Sequence, residues 1–279
     1  MDALVTTEWL ANELSAPDLR IVDATYFALD PSRDAAAEYE AAHIPGAVFM
    51  DLGEIADTSS PLPSMLPSPE KFASRMQSLG LGDGSRIVIY DNSPHKTAAR
   101  AWWMLRTFGA HDVALLDGGL AKWQAEGRPV NTGKETLRHR HFTVWADDKG
   151  VRSLDQMKAN VDTGAEQVMD ARSKPRFEGT EPDPRAATMP GHIPGSRNIP
   201  YGEVLNADGT WKQGAALKAV FDDAGIDLTK PVVATCGSGI TAAVLVFGAH
   251  LLGADAALYD GSWSEWGADL STPKAMGPA

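Results

Sequence analysis

Short apolar runs rich in β-branched residues recur along the chain at 20–24, 86–90, 112–116, 167–170, 231–235 and 256–259. The segments between them carry apolar positions at helical spacing. Two of these, 98–108 and 242–252, are apolar on nearly every side and predict buried helices. Alternation of strand and helix predicts an α/β fold, each sheet mostly parallel with helices on both faces. Sheets of this kind bind ligands at the carboxyl ends of their strands.

The pattern occurs twice. Ile21-Val22-Asp23-Ala24 returns as Val168-Met169-Asp170-Ala171, and His43-Ile44-Pro45-Gly46 as His192-Ile193-Pro194-Gly195. Ile87-Val88-Ile89-Tyr90 matches Val232-Val233-Ala234-Thr235, and Thr97-Ala98-Ala99 matches Thr241-Ala242-Ala243. Leu116-Asp117-Gly118-Gly119 matches Tyr259-Asp260-Gly261-Ser262, and Trp123 matches Trp266. The matches keep their order at a spacing of about 145 residues, which identifies two homologous domains. A polar stretch at 131–140, rich in Gly, Lys and Arg, follows the first copy and reads as linker. The expected division is a first domain over 1–135, a linker over 136–150 and a second domain over 151–279. The tail Lys274-Ala275-Met276-Gly277-Pro278-Ala279 is the one segment that reads as low in complexity and unstructured.

At 279 residues, 43% of them hydrophobic and 22% charged, the chain has the composition of a folded soluble protein with room for two domains. Its net charge of -12 argues against nucleic acid or an anionic membrane as partner, because both demand a basic face. The 242–252 run, interrupted by Gly248 and His250, is too short for the roughly 20 residues of a membrane span. One cysteine excludes an intramolecular disulfide and a cysteine-based zinc site. The expected compartment is therefore the reducing cytoplasm. The first residues, Met1-Asp2-Ala3-Leu4-Val5, have neither the basic nor the apolar region of a secretory signal.

That cysteine has an unusual setting. Thr235-Cys236-Gly237-Ser238-Gly239-Ile240-Thr241-Ala242 joins a buried strand to a helix through a glycine-rich loop. Such a loop turns successive N–H groups inward, and the helix start adds partial positive charge, which favours an anionic sulfur. Ser238 can donate a further hydrogen bond, and Thr241 can close the loop or cap the helix. A lone cysteine is most often an inert core residue, but an inert residue has no need of this loop. A cysteine phosphatase would place arginine six residues beyond the cysteine; that position is Ala242.

The duplicated layout, the paired His-Ile-Pro-Gly segments and Cys236-Gly237-Ser238-Gly239-Ile240-Thr241 resemble tandem-domain rhodaneses, specifically the 3-mercaptopyruvate sulfurtransferases. The resemblance runs from about Thr7 to Gly267. It implies a rhodanese fold, no cofactor and a persulfide on Cys236. The sulfur donor would be 3-mercaptopyruvate, with transfer to a thiol acceptor such as thioredoxin, or to cyanide, and release of pyruvate. Thiosulfate-preferring relatives carry basic residues where this chain has Gly237 and Ser238, which suits a less charged α-keto acid. In the resembling enzymes the arginine before Phe and the one after Glu-Pro-x-Pro bind the substrate, and those positions match Arg176 and Arg185. Read as residues alone, both serve equally well in exposed salt bridges among the neighbouring acids. Gly237, Gly239, Ile240 and Thr241 complete the expected binding loop around the catalytic Cys236 and Ser238.

In the first copy Cys236 aligns with Asp91, in a loop one residue longer. A carboxylate carries no sulfur, so that domain is expected to be silent, to form one wall of the cleft and to use Asp91 as a turn or cap residue. His43 and His192 occur in both copies, and so do Asp23 and Asp170; structural roles are expected for all four. Trp266 reads as core and Trp263 as a candidate to line the cleft. Two departures from the resembling family stand out. Ser64 precedes Met65-Leu66-Pro67 where some members have a histidine of a proton relay, and Lys96 replaces an aromatic residue of the first-domain loop. Two other readings remain open: thiosulfate as the better donor, and a non-catalytic sulfur-relay or binding module.

Overall fold

The structure, a computed structural model, describes residues 1–185 and 188–279. The chain forms two compact units. One comprises Met1–Thr58, Leu66–Asp147 and Asp208–Thr210; the other comprises Ser59–Met65, Asp148–Ala207 and Trp211–Ala279.

Each unit is built on one five-stranded sheet. The first contains β1 (Leu4–Val5), β2 (Leu19–Asp23), β3 (Ala47–Phe49), β4 (Arg86–Tyr90) and β5 (Val113–Leu116), in the order β1-β5-β4-β2-β3. The second contains β6 (Val151–Arg152), β7 (Gln167–Asp170), β8 (Arg197–Asn198), β9 (Val232–Thr235) and β10 (Ala257–Tyr259), in the order β6-β10-β9-β7-β8. Every pairing is parallel, with registers such as Val22↔Ile89 in the first sheet and Met169↔Ala234 in the second. Every residue of β5 and of β9 is buried, as expected of strands covered on both faces. The six strands expected from apolar runs are the interior ones. The other four are the sheet edges, each only two or three residues long and paired on one side only, too short to show a period.

The buried helices run over Ala98–Thr107 and Ala242–Leu251, each following a central strand and packed on its sheet. In the second, every residue from Ala242 to Ala249 is buried. Strand order reverses between β2 and β4 and between β7 and β9, so each unit has a crevice there at its carboxyl edge. Cys236 follows β9 and Asp91 follows β4 at this edge. Among the described residues, no helix is long and apolar enough to cross a membrane.

The carboxyl-terminal tail departs from expectation. Ala275 pairs with His192 in an antiparallel bridge, Trp266 Nε1 donates to the Pro273 carbonyl at 2.8 Å, and the Gly277 amide donates to the Glu178 carbonyl at 2.9 Å. The segment is ordered through its backbone, and backbone pairing leaves no mark in side-chain composition.

Candidate active site

The Cys236–Thr241 loop is held from behind by the short helix Ser262–Trp266. The Cys236 amide donates to Ser262 Oγ at 3.2 Å, and the Cys236 carbonyl accepts from the Trp263 amide at 2.9 Å. The Gly237 carbonyl accepts from both the amide and the hydroxyl of Ser264, at 2.9 and 2.6 Å. Ser262 is left-handed, with φ of 50°, where its first-domain counterpart is Gly119 with φ of 60°. A side chain is strained in that conformation. Its presence in the second copy only is explained by the hydroxyl that secures Cys236. Gly239 turns the loop with φ of 77°.

With the Cys236 and Gly237 carbonyls anchored behind, several of the loop's amides are left without an acceptor. Among the described residues, none accepts a hydrogen bond from the amides of Gly237, Ser238, Ile240, Thr241 or Ala242. Thr241 sits in helical conformation and makes no side-chain cap, so the capping role considered for it does not occur. The first unit shows what such amides take. There Asp91 Oδ1 accepts from the Ser93 amide at 3.0 Å, and Oδ2 accepts from the Ala98 amide at 2.8 Å, capping the Ala98–Thr107 helix. Ser93 and Ala98 align with Ser238 and Ala242. One copy of the scaffold thus places a resident anion where the other places a sulfur.

That anion is held at some cost. Burial raises the Asp91 carboxyl to about 6, although the Lys96 charge and the Ala98 and Ser93 amides pull it down. The folded protein therefore binds this proton more tightly than the unfolded chain. The resulting stability is fully present below about pH 4 and is lost as the pH rises through about 6. Asp91→Asn should remove this slope. Denaturant unfolding should show the stability gap between wild type and variant narrowing in the wild type's disfavour by up to about 3 kcal/mol between pH 4 and 7. A gap that does not change with pH would contradict this account.

Two guanidinium groups stand over the loop. Arg185 Nη2 donates to Ser238 Oγ at 3.0 Å, so Ser238 accepts rather than donates in this contact. An added Cβ on Gly237 would lie 2.3 Å from Arg185 Nη1 and 3.2 Å from Arg176 Nη2. The second loop position is therefore glycine because the arginines fill the space of a side chain. Asp183 arranges them: it accepts from Arg176 Nη2, from the Arg185 amide at 3.0 Å and from Arg185 Nη1 at 3.4 Å. Burial works to raise the Asp183 carboxyl, but the Arg176 and Arg185 contacts outweigh it and leave it below the ordinary value. Arg176 Nε is buried with no acceptor among the described residues.

Gly237→Ala should displace the flexible guanidinium ends and leave the fold intact. The KM for an anionic donor should rise about tenfold, equivalent to about 1.4 kcal/mol, with a melting temperature within about 2 °C of wild type. An unchanged KM would show that the arginines are not in place for binding.

Asp183, Ser262 and Ser264 carry much of this geometry and had no role in the sequence reading. The available signal was an acid two residues before one candidate arginine and seven after the other. Asp170, His43 and His192 brace the scaffold, as expected. Asp170 binds Arg172, while the rings of His43 and His192 stack on Tyr39 and Phe177. Asp23 likewise accepts from the Thr25 amide at 2.9 Å. Trp263 does not line a cleft: it is 1% exposed, packs in the same core cluster as Trp266 and lies 4.3 Å below the Arg172 guanidinium. A tryptophan one residue beyond a loop-holding serine is turned inward when that serine faces the loop. Ser64 takes a left-handed conformation, with φ of 61°.

The chain is similar to known proteins in sequence and fold. Residues 6–126 and 153–269 each match the rhodanese-like domain family. Mouse 3-mercaptopyruvate sulfurtransferase is 43% identical over 95% of this chain and 91% of its own length. Thiosulfate sulfurtransferase of Cricetulus griseus is 39% identical over the same shares. The crystal structure of SseA from Escherichia coli, described as a 3-mercaptopyruvate sulfotransferase with the rhodanese fold, superposes with a TM-score of 0.87 at 37% identity, covering 95% of this chain and 100% of that one. The chain belongs to the rhodanese family, as a tandem of two rhodanese-like domains.

Proposed function

We propose that the chain is a 3-mercaptopyruvate sulfurtransferase working through a persulfide on Cys236. The observation that carries this reading is the pair of guanidinium groups packed on Gly237, one of them bonded to Ser238, beside a loop with unused amides. Planar guanidinium groups suit the carboxylate and neighbouring carbonyl of an α-keto acid. Arg176 and Arg185 hold those groups and set the donor's sulfur against Cys236. The Cys236 thiolate attacks that sulfur, the carbon–sulfur bond breaks, and its electron pair leaves as the pyruvate enolate. An arginine or Ser238 stabilises the enolate oxygen until a proton from solvent gives pyruvate. Amides of Gly237, Gly239, Ile240 and Thr241 cradle the persulfide. A thiolate acceptor of the thioredoxin kind, or cyanide, then attacks the outer sulfur, and Cys236 departs as thiolate. A reducing cytoplasmic setting fits this cycle.

The test is mass spectrometry of the protein after 3-mercaptopyruvate. A gain of one sulfur atom on Cys236, matched by an equivalent of pyruvate, is the expected result. A higher catalytic efficiency with thiosulfate would overturn the donor assignment. Absence of turnover with either donor, with persulfide accepted only from another protein, would replace the enzyme with a relay module.

A further inference from the structure

The two halves of the candidate site sit on separate short elements of the second unit. Cys236 and Gly237 hang from the Ser262–Trp266 helix. Arg176 lies on the helix Lys174–Glu178, which has only five residues and begins without a side-chain cap. A single turn of helix has no stability of its own, so its position is set by what holds it. At its carboxyl end, the Phe177 carbonyl meets His192 Nδ1 at 2.9 Å, with the His192 ring stacked 3.8 Å from the Phe177 ring. The next carbonyl, of Glu178, accepts from the Gly277 amide at 2.9 Å.

Both holdfasts lead to the carboxyl-terminal segment. The His192 amide and carbonyl pair with Ala275 at 2.8 and 2.9 Å. Met276 Cε lies against Gly179, and its Cγ against Gly191; a Cβ on Gly191 would come within 2.2 Å of the Ala275 carbonyl. The same segment grips the other half of the site. Trp266 Nε1 donates to the Pro273 carbonyl at 2.8 Å, and Thr272 Oγ1 donates to the Trp266 carbonyl at 2.6 Å. Backbone from Thr272 to Gly277 is therefore continuous between the helix that carries the cysteine loop and the helix that carries Arg176.

We infer that the Thr272–Gly277 segment is a strap that sets the position of Arg176 relative to Cys236, and so tunes affinity for the anionic group of the donor. The strap rests on the sulfurtransferase reading for its effect on turnover, but its effect on Arg176 does not. Met276 and Gly277 are its positioning residues; neither touches the reacting atoms. The exposed Met276 is kept against two glycines, and Gly277, with φ of 85°, supplies the amide that closes the carboxyl end of the Arg176 helix.

The test is removal of residues 276–279. This leaves Thr272, Pro273 and the His192–Ala275 bridge in place. Two readouts are taken on the full remaining chain. Alkylation of Cys236 is measured with anionic iodoacetate and neutral iodoacetamide, because the ratio of the two rates reports the nearby guanidinium charge with no assumption about the donor. Steady-state turnover of 3-mercaptopyruvate is measured beside it. The expected result is a severalfold lower iodoacetate-to-iodoacetamide ratio with an unchanged iodoacetamide rate, and a KM raised severalfold at constant kcat. Met276→Ala alone should move both readouts part of the way. An unchanged ratio in the truncated protein overturns the strap. A ratio that falls only together with the iodoacetamide rate, kcat and melting temperature also overturns it, since that is general loosening. Should the ratio fall while wild-type protein turns over no 3-mercaptopyruvate, the strap stands and the donor assignment fails.

Discussion

Cys236→Ser should lower pyruvate release from 3-mercaptopyruvate by at least about 1,000-fold and leave the fold intact. The serine hydroxyl is close in shape to the thiol. The contacts that position residue 236 are made by its backbone to Ser262 and Trp263, and they survive the change. What is lost is the ability to accept sulfur: an alkoxide is hardly populated at neutral pH, and it forms no stable bond to a sulfane sulfur. No other group in the chain can take over, because Cys236 is its single cysteine. The equivalent first-domain residue, Asp91, already has both carboxylate oxygens bonded to amides of its own loop. The variant should gain no sulfur mass after donor treatment and should give no thiocyanate from cyanide. Pyruvate release above about a tenth of the wild-type rate would remove Cys236 from the mechanism.

The comparison of Cys236 with Asp91 also shows which features were legible in the chain and which were not. Internal repetition exposes the tandem architecture, since side-chain patterns at buried strands survive duplication. The central strands are equally readable, because a parallel strand covered on both faces is a continuous apolar run; β9 is Val-Val-Ala-Thr and every residue is buried. The cysteine loop announces itself through two glycines, Gly239 at its turn and Gly237 under the arginines. Support for the loop is far less legible. Ser262 and Ser264 act through one or two hydrogen bonds each from about 26 residues away, and a serine before a tryptophan has no distinctive spacing. Asp183 is ambiguous for another reason: among the acids near Arg176 and Arg185, only the folded chain decides which one is buried between them. The tail is hidden because it binds largely through backbone atoms, which every residue possesses.

Asp170→Asn should destabilise the protein by about 3–5 kcal/mol, the largest effect on stability expected here for one conservative change. Asp170 and Arg172 have side chains 0% and 1% exposed, with Arg172 Nη2 2.7 Å from Asp170 Oδ2 and Nε 3.1 Å from both carboxylate oxygens. Asparagine keeps the volume but removes the charge and replaces one acceptor by a donor. The guanidinium is then buried against Trp263 and the Gly191 carbonyl, with no other counter-ion beside it among the described residues. Burial of an uncompensated charge, rather than loss of one hydrogen bond, sets the magnitude. The double variant Asp170→Asn with Arg172→Met should therefore recover much of the loss, because methionine fills the space over the indole without needing a partner. Denaturant unfolding of the wild type, both single variants and the double gives the coupling directly. Equal and additive losses in the two single variants would show that the pair acts as two independent hydrogen-bonding groups. A strong positive coupling would show that Asp170 is retained to neutralise Arg172, whose stacked guanidinium in turn fixes the indole at the root of the cysteine loop.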